Sequence, residues 1–370
     1  MRVEFSRVTL VSPYALDVHG GVQEQVVAMS RELSRRGTQV QIVAPHSSDR
    51  QSYDTPALID RLGPLISVAA NGSRAPLTLS ARASAQAFER VRDFDPDLVH
   101  FHEPFAPRVG WRTLRAHWRP AVGTFHRSGE GPAVSLAAPL LRRWSRHLDA
   151  AAAVSTHAAA TARRSCGLDP VVLFNGFELE RFAEFARERQ ATTTMVVLGR
   201  LEERKGVATA IDALRRHNDR VRGDWRLVVV GDGPDRAALQ RRAGASDVVF
   251  IGAVSDEEKR RWYRRADVVV APATHGESFG LVLLEAMASM TRVVASDIPG
   301  YRDAAGGHAV LFAARDPAAL EAAIVAALGS RDEATLESAR EYARGWSMST
   351  LVDRYLDLYR VARREFAGLD

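Results

Sequence analysis

Short, nearly continuous apolar runs recur along the chain, at 7–12 (RVTLVS), 39–44 (QVQIVA), 97–102 (DLVHFH), 121–125 (AVGTF), 150–154 (AAAVS) and 171–174 (VVLF). A second series follows at 194–199, 226–231, 248–251, 267–271, 292–295 and 309–312. Strands that are covered by helices on both faces lose the apolar–polar alternation and read in this way. Between the runs, apolar residues fall at intervals of three and four. Val22, Val26, Met29 and Leu33 mark one helix face, and Gly37 stops that helix. Segments 206–217, 234–243, 256–265, 280–290 and 317–328 read as helices, and a last one at 349–367 aligns Leu351, Tyr355, Leu358 and Val361. Alternation of this kind predicts an α/β chain of two Rossmann-like, doubly wound parallel-sheet domains facing a cleft. The polar, irregular stretch 176–192 separates them, so the domains span 1–175 and 176–345.

Composition narrows the picture. A length of 370 residues suits two domains, and 46% hydrophobic against 26% charged residues is a globular balance that excludes a disordered chain. Cys166 is the only cysteine, so no intrachain disulfide forms and a reducing cytoplasm fits. Met1 leads directly into a strand, unlike a signal peptide. No apolar run approaches the ~18 residues that cross a bilayer. Residues 1–175 hold 21 Arg against 15 Asp and Glu, whereas the remainder is slightly acidic, which points to an anionic partner for the first half. Of 50 basic residues only Lys205 and Lys259 are lysine. In a chain that uses Arg wherever either cation serves, a retained Lys marks a need for a compact ammonium.

Several strings carry chemistry. Gly20-Gly21 opens the helix after the first strand, where free amides and the helix dipole suit a diphosphate; a turn needing positive φ explains the pair equally well. No G-x-G-x-x-G occurs, and the second strand ends in Ala44-Pro45-His46 without an acid for a ribose, against a nicotinamide cofactor. GRLEERKG (199–206) places Arg200 and Lys205 between a strand end and a helix, suited to a leaving diphosphate; Arg204 reads as solvated. GDGP (231–234) reads as a structural turn. HGESFGLVLLE (275–285) is the most informative string: Glu277 sits in a glycine-flanked loop suited to sugar hydroxyls. The amides of Phe279, Gly280 and Leu281 suit phosphate oxygens, and Glu285 stands two turns on, within reach of a ribose diol.

These strings, with SPYALDVHGGVQ, NGS (71–73), DPDLVHFHEPFAP and GTFH (123–126), resemble the retaining GT-B glycosyltransferases of family 4, and within them the phosphatidylinositol mannosyltransferases. The likeness spans nearly the whole chain. It implies a donor diphosphate held by Gly21, Arg200 and Lys205, a transferred hexose held by Glu277 with backbone help from Phe279 and Gly280, and a ribose held by Glu285. It places Val254 and Lys259 at the base and His126 near the sugar's reaction centre. It implies acceptor contacts from Tyr14, Gln23 and Asn71, GDP-mannose as donor in preference to a UDP-sugar, and a last helix, 346–370, that returns to the first domain. A donor phosphate oxygen takes the acceptor proton, so no cofactor is required, although Mg2+ can accompany the diphosphate. The enzyme would work in the cytoplasm, peripherally at the inner face of the plasma membrane.

The chain also departs from that group. Met290 stands where relatives carry Gly, Phe105 follows His-Glu-Pro where they carry Asn, and Pro76 replaces a basic residue after NGS. The acceptor therefore transfers less well than the donor: a lipid or a small molecule both fit. Arg108, Arg112, Arg115 and Arg119 fall at helical spacing beside Trp111, Leu114 and Trp118, and 136–148 repeats the style, as for helices on anionic lipid or for ordinary amphipathic helices. His100, His102, Glu103 and His126 are explained better by a polar cleft than by a metal. A nucleotide-sugar epimerase and a UDP-sugar transferase with a soluble acceptor are the alternatives. Nucleic acid is disfavoured because no recognition module or stacking surface appears.

Overall fold

The structure is a computed structural model that describes residues 4–17, 20–46, 54–63, 66–70, 73–77, 80–106, 108–126, 132–183, 192–221, 225–277, 280–329 and 333–369. The chain forms two compact units, Met1–Gly176 with Met348–Asp370, and Phe177–Ser347.

The first unit runs β1 (Arg7–Val11), α1 (Gly21–Arg35), β2 (Gln39–Pro45), β3 (Leu58–Leu62), β4 (Ile66–Ala70), β5 (Ser73–Leu77), α2 (Ala81–Phe94), β6 (Leu98–His102), α3 (Trp111–Ala116), β7 (Ala121–Phe125), α4 (Pro132–Ser145), β8 (Ala150–Ala153), α5 (Thr156–Cys166) and β9 (Val171–Val172). Its seven-stranded sheet has the order β3-β2-β1-β6-β7-β8-β9, all parallel, and β4-β5 is a separate antiparallel hairpin. The order reverses between β1 and β6, the point where open α/β sheets bind ligands beyond their strand ends. Val26, Met29 and Leu33 of α1 pack under Leu10 and Ile42 as the periodicity requires. Ser80 and Ser155 cap α2 and α5 by accepting from the amides of Ala83 and Ala158, each worth about 1 kcal/mol.

The second unit contains α6 (Glu180–Ala183), β10 (Thr193–Leu198), a 3-10 turn (Glu203–Lys205), α7 (Val207–Asn218), β11 (Trp225–Val230), α8 (Arg236–Ala243), β12 (Val248–Gly252), α9 (Asp256–Arg265), β13 (Val268–Ala271), α10 (Leu281–Ala288), β14 (Arg292–Ser296), α11 (Pro299–Ala305), β15 (Val310–Phe312), α12 (Pro317–Gly329) and α13 (Glu333–Arg344). Its six-stranded sheet, β12-β11-β10-β13-β14-β15, reverses between β10 and β13. Met195, Val197, Leu227, Val229, Val268 and Val270 form the core face against Ile211, Leu214 and Ile324.

The last helix, α14 (Met348–Phe366), belongs to the first unit and buries Leu351, Tyr355, Leu358 and Tyr359 in its core. Ala362, not Val361, continues that face.

One reading changes. The arginines 108–119 do not lie on one helix: α3 covers only Trp111–Ala116, Arg108 and His117 both have positive φ, and Arg119 pairs with Asp95. Met290 has φ 57, just past the end of α10. A glycine occupies that conformation without strain.

Candidate active site

At the reversal point of the second unit, Gly199 leaves β10 at φ 140 and the chain folds into the Glu203–Lys205 turn. Gly206 closes the turn at φ 67, so close to the exit of β13 that a Cβ there would lie 1.9 Å from the Pro272 carbonyl oxygen. The amide of Thr274 donates to the Arg204 carbonyl at 2.7 Å and ties the two strand exits together. Lys205 is thereby held against Glu277, with Nζ 2.7 Å from Oε1. Arg204 Nη1 lies 2.8 Å from the same oxygen, and Glu202 joins Arg204 at 3.0 Å and Arg200 at 2.8 Å. Three cations thus share two carboxylates, an excess of one positive charge at a sheet edge. Both Arg204 and Lys205 meet Glu277 at Oε1, so Oε2 is the oxygen better placed to receive a hydroxyl. Arg204, read from the sequence as solvated, is part of this cluster. Its adjacency to Lys205 within one motif was the available signal.

The second glutamate of the motif is placed by α10. Gly280 caps that helix at φ 83, where a Cβ would meet the Tyr301 ring at 2.6 Å. Leu281 opens its first turn, and Glu285 is buried one turn later. Lys259 Nζ donates to Glu285 Oε1 at 2.7 Å and the Tyr263 hydroxyl to Oε2 at 2.5 Å. Burial and the neighbouring Glu285 charge push the Tyr263 phenol well above its usual range. The ribose and base candidates Glu285 and Lys259 are therefore one bonded pair, with half-buried Val254 just before the Ser255 cap of α9. Phe279 lies outside the described residues.

In the first unit, β1 and β6 carry the other candidates. Gly20 is extended (φ −170) and neither it nor Gly21 has positive φ, so a forced turn does not explain the pair; a Cβ on Gly21 would meet nothing within 4 Å. Half-buried Tyr14 follows β1, its amide donating to Ser12 Oγ at 3.2 Å. Gln23 is buried and its amide nitrogen donates to the Ala15 carbonyl at 3.2 Å, bracing the loop between β1 and α1. Asn71 lies outside the described residues.

His126 follows β7. Its amide donates to Glu103 Oε1 at 2.6 Å, and its Nε2 is 3.0 Å from His102 Nδ1. The rings of His100, His102 and His126 stack in a row, with centroids 4.4 and 5.2 Å apart. Burial lowers the pKa of His100 and of His126 to about 3 and holds His102 well below its usual value, so all three are neutral at physiological pH. His100 is fully occupied by the Tyr359 hydroxyl at 2.8 Å and Thr124 Oγ1 at 2.7 Å. Among the described residues no three His, Cys, Asp or Glu side chains converge to hold a metal, and no helix is long and apolar enough to cross a membrane.

Two parallel-sheet α/β units, with a cation cluster and paired glutamates at a sheet reversal, define a glycosyltransferase of GT-B fold. Residues 19–181 match the family described as Glycosyltransferase Family 4, and 192–330 match Glycosyl transferases group 1. A phosphatidyl-myo-inositol mannosyltransferase of Mycobacterium leprae is 34% identical over 366 residues, 95% of this chain and 96% of that one. A GDP-mannose-dependent alpha-mannosyltransferase of Mycobacterium tuberculosis is 30% identical over 329 residues, 82% of each chain. The fold matches sucrose-phosphate synthase from Thermosynechococcus elongatus with a TM-score of 0.73 at 20% identity, covering 98% of this chain and 100% of the other. The chain belongs to the phosphatidyl-myo-inositol mannosyltransferase family.

Proposed function

We propose that the enzyme moves mannose from GDP-mannose, with retention, to a hydroxyl of a phosphatidylinositol-type lipid. The observation that carries this reading is the ammonium of Lys205 held on Glu277 at 2.7 Å. As the sugar–phosphate bond breaks, its electrons pass to the diphosphate, and Arg200 and Lys205 stabilise that growing charge; such interactions are worth roughly 3–4 kcal/mol each in a preorganised site. Glu277 holds the sugar through Oε2, with the backbone of Phe279, Gly280 and Leu281 beside it. Glu285 and Lys259 serve the ribose and base next to Val254. The acceptor hydroxyl attacks from the face the diphosphate leaves and gives its proton to a diphosphate oxygen, so the configuration is kept and no protein nucleophile is needed. His126 contacts the sugar, and Tyr14 and Asn71 the acceptor, with Gln23 shaping the loop between. The relatives named for mannosyl transfer favour this donor and acceptor over the epimerase and the UDP-sugar alternatives.

The acceptor is a lipid, and the first unit has a surface suited to one: a groove of about 660 Å³ lined by Phe88, Arg108, Trp111, Arg112, Arg115 and Trp144 among others, with no carboxylate among the described residues that line it. Anionic headgroups match its charge and acyl carbons its aromatic rings. This surface supports peripheral binding to an anionic membrane, in our reading at its cytoplasmic face.

Incubation with radiolabelled GDP-mannose and phosphatidylinositol vesicles tests the proposal. A chloroform-soluble labelled product is expected. Release of free mannose isomers without an acceptor, or transfer from UDP-sugars only, would overturn it. Salt-sensitive flotation with anionic vesicles tests the surface.

A further inference from the structure

The histidine row contains an asymmetry. His102 is 2% exposed, and its Nε2 is buried with no hydrogen-bond partner among the described residues, whereas its Nδ1 meets His126 Nε2 at 3.0 Å. With both rings neutral, each has one N–H and one lone pair, and one ring donates to the other. If His126 donated, His102 would carry its proton on the orphaned Nε2, a buried N–H with no acceptor. If His102 donates from Nδ1, only a lone pair is orphaned there. Buried unpaired N–H groups are the rarer and costlier of the two.

The neighbours keep His102 in place. Tyr359 donates to Met29 Sδ at 3.9 Å, so its oxygen accepts from His100 Nδ1–H. His100 Nε2 then accepts from Thr124, whose Oγ1 accepts from Tyr355 at 3.0 Å. His100 therefore has one fixed tautomer and no nitrogen left for His102, on which it only stacks. The donor in the bond at His126 is His102.

We propose that His102 is a positioning residue that fixes the tautomer of His126, so that His126 presents Nδ1–H, and not a lone pair, to the bound sugar. The proposal rests on the reading that the sugar binds at His126. Its consequence is chemical: the outward nitrogen of His126 donates a hydrogen bond to a sugar oxygen and cannot accept a proton, so His126 is not the base that takes the acceptor's proton. Among the described residues that Nδ1 has no protein partner, as a ligand-facing donor requires.

Long-range proton–nitrogen spectra of the full chain labelled with 15N-histidine decide the tautomer directly, with the His126 signals assigned from their loss in His126→Ala. Nδ1–H at His126 is expected in the native protein, a mixture of tautomers in His102→Leu, and return of Nδ1–H in His102→Gln, whose amide can still donate. In transfer assays His102→Leu should lower kcat about tenfold with little change in donor KM, and His102→Gln should recover most of it. Nε2–H at His126 in the native protein, or an unchanged tautomer in His102→Leu, would overturn the proposal. If His102→Leu does not fold, the native spectrum and His102→Gln still decide. Unchanged transfer by His126→Ala, with the tautomer as expected, would place the sugar elsewhere: the reading of the site would fall and the tautomer assignment stand.

Discussion

Lys205 Nζ lies 2.7 Å from Glu277 Oε1, and the only other lysine of the chain, Lys259, lies 2.7 Å from Glu285 Oε1. Both lysines of a protein that otherwise uses arginine thus end on the two glutamates of one eleven-residue motif. An ammonium is a point charge that bonds one carboxylate oxygen and can turn to another anion, whereas a guanidinium fork would bridge both oxygens. Glu277 is the counter-ion of Lys205. A diphosphate arriving there competes for that ammonium.

Binding of diphosphate and sugar should therefore separate in variants. Lys205→Ala should weaken GDP by roughly ten- to a hundredfold, about 1.5–3 kcal/mol for a charged hydrogen bond. Glu277→Gln should leave GDP binding equal or tighter, because the competing carboxylate is gone, yet abolish most transfer. Calorimetry with GDP and with GDP-mannose distinguishes the two. Loss of GDP binding in Glu277→Gln would mean that the carboxylate organises the cluster and does not compete with the ligand.

Much of this was legible in the sequence, and the reasons are local. Buried parallel strands announce themselves by continuous apolar runs, so every strand of the second sheet appears where the pattern places it, as 248–251 does against Val248–Gly252. β3 was missed because an edge strand reading LIDRL is half polar and largely uncovered. The 108–119 arginine spacing misled because His117 turns into the left-handed region and ends α3. Motif chemistry located Lys205, Glu277 and Glu285, but not their partnerships. Tyr263 reaches Glu285 across a fold separation of 22 residues, and Tyr355 and Tyr359 reach the histidine row from the far end of the chain. Such pairings depend on tertiary placement, which periodicity does not encode.

Met290→Gly should stabilise the second unit. Met290 sits at φ 57, where a Cβ crowds the backbone at a cost of roughly 1 kcal/mol that glycine avoids, minus some added freedom of the unfolded chain. A gain of up to about 1 kcal/mol in urea unfolding is expected. A clear loss would show that contacts of the Met290 side chain outweigh the strain.

Gly206→Ala should do the opposite. Its φ of 67 and the 1.9 Å approach to the Pro272 carbonyl leave no room for a methyl group, and the obstacle is backbone, which cannot rotate aside. A loss of about 3 kcal/mol or more is expected, by the mechanism of overpacking added to strain. Because Gly206 seats Lys205, GDP affinity should fall in the same variant even under conditions where it remains folded.

The histidine row makes the first unit acid-labile. His100 is wholly buried, with its pKa lowered from 6.5 to about 3, and burial and the neighbouring His100 and His126 hold His102 well below its usual value. Above 6.5 these imidazoles are neutral folded or unfolded and pH has no leverage on them. As pH falls below 6.5 the unfolded chain takes up protons that the folded one refuses, so stability drops by up to roughly 1.4 kcal/mol per pH unit for each such histidine. Carboxylates contribute their own acid sensitivity, so the useful quantity is the difference between variants. His100→Gln removes one of these groups and should flatten the slope of stability against pH by about one histidine's share between 6.5 and roughly 4. Tyr359→Phe, which strands the His100 Nδ1–H, should cost about 1–3 kcal/mol at neutral pH while leaving the slope in place, because an unpaired neutral imidazole is no easier to protonate in the core. Urea unfolding across that pH range measures both. A slope unchanged in His100→Gln would show that the buried imidazole gains its proton without unfolding the unit.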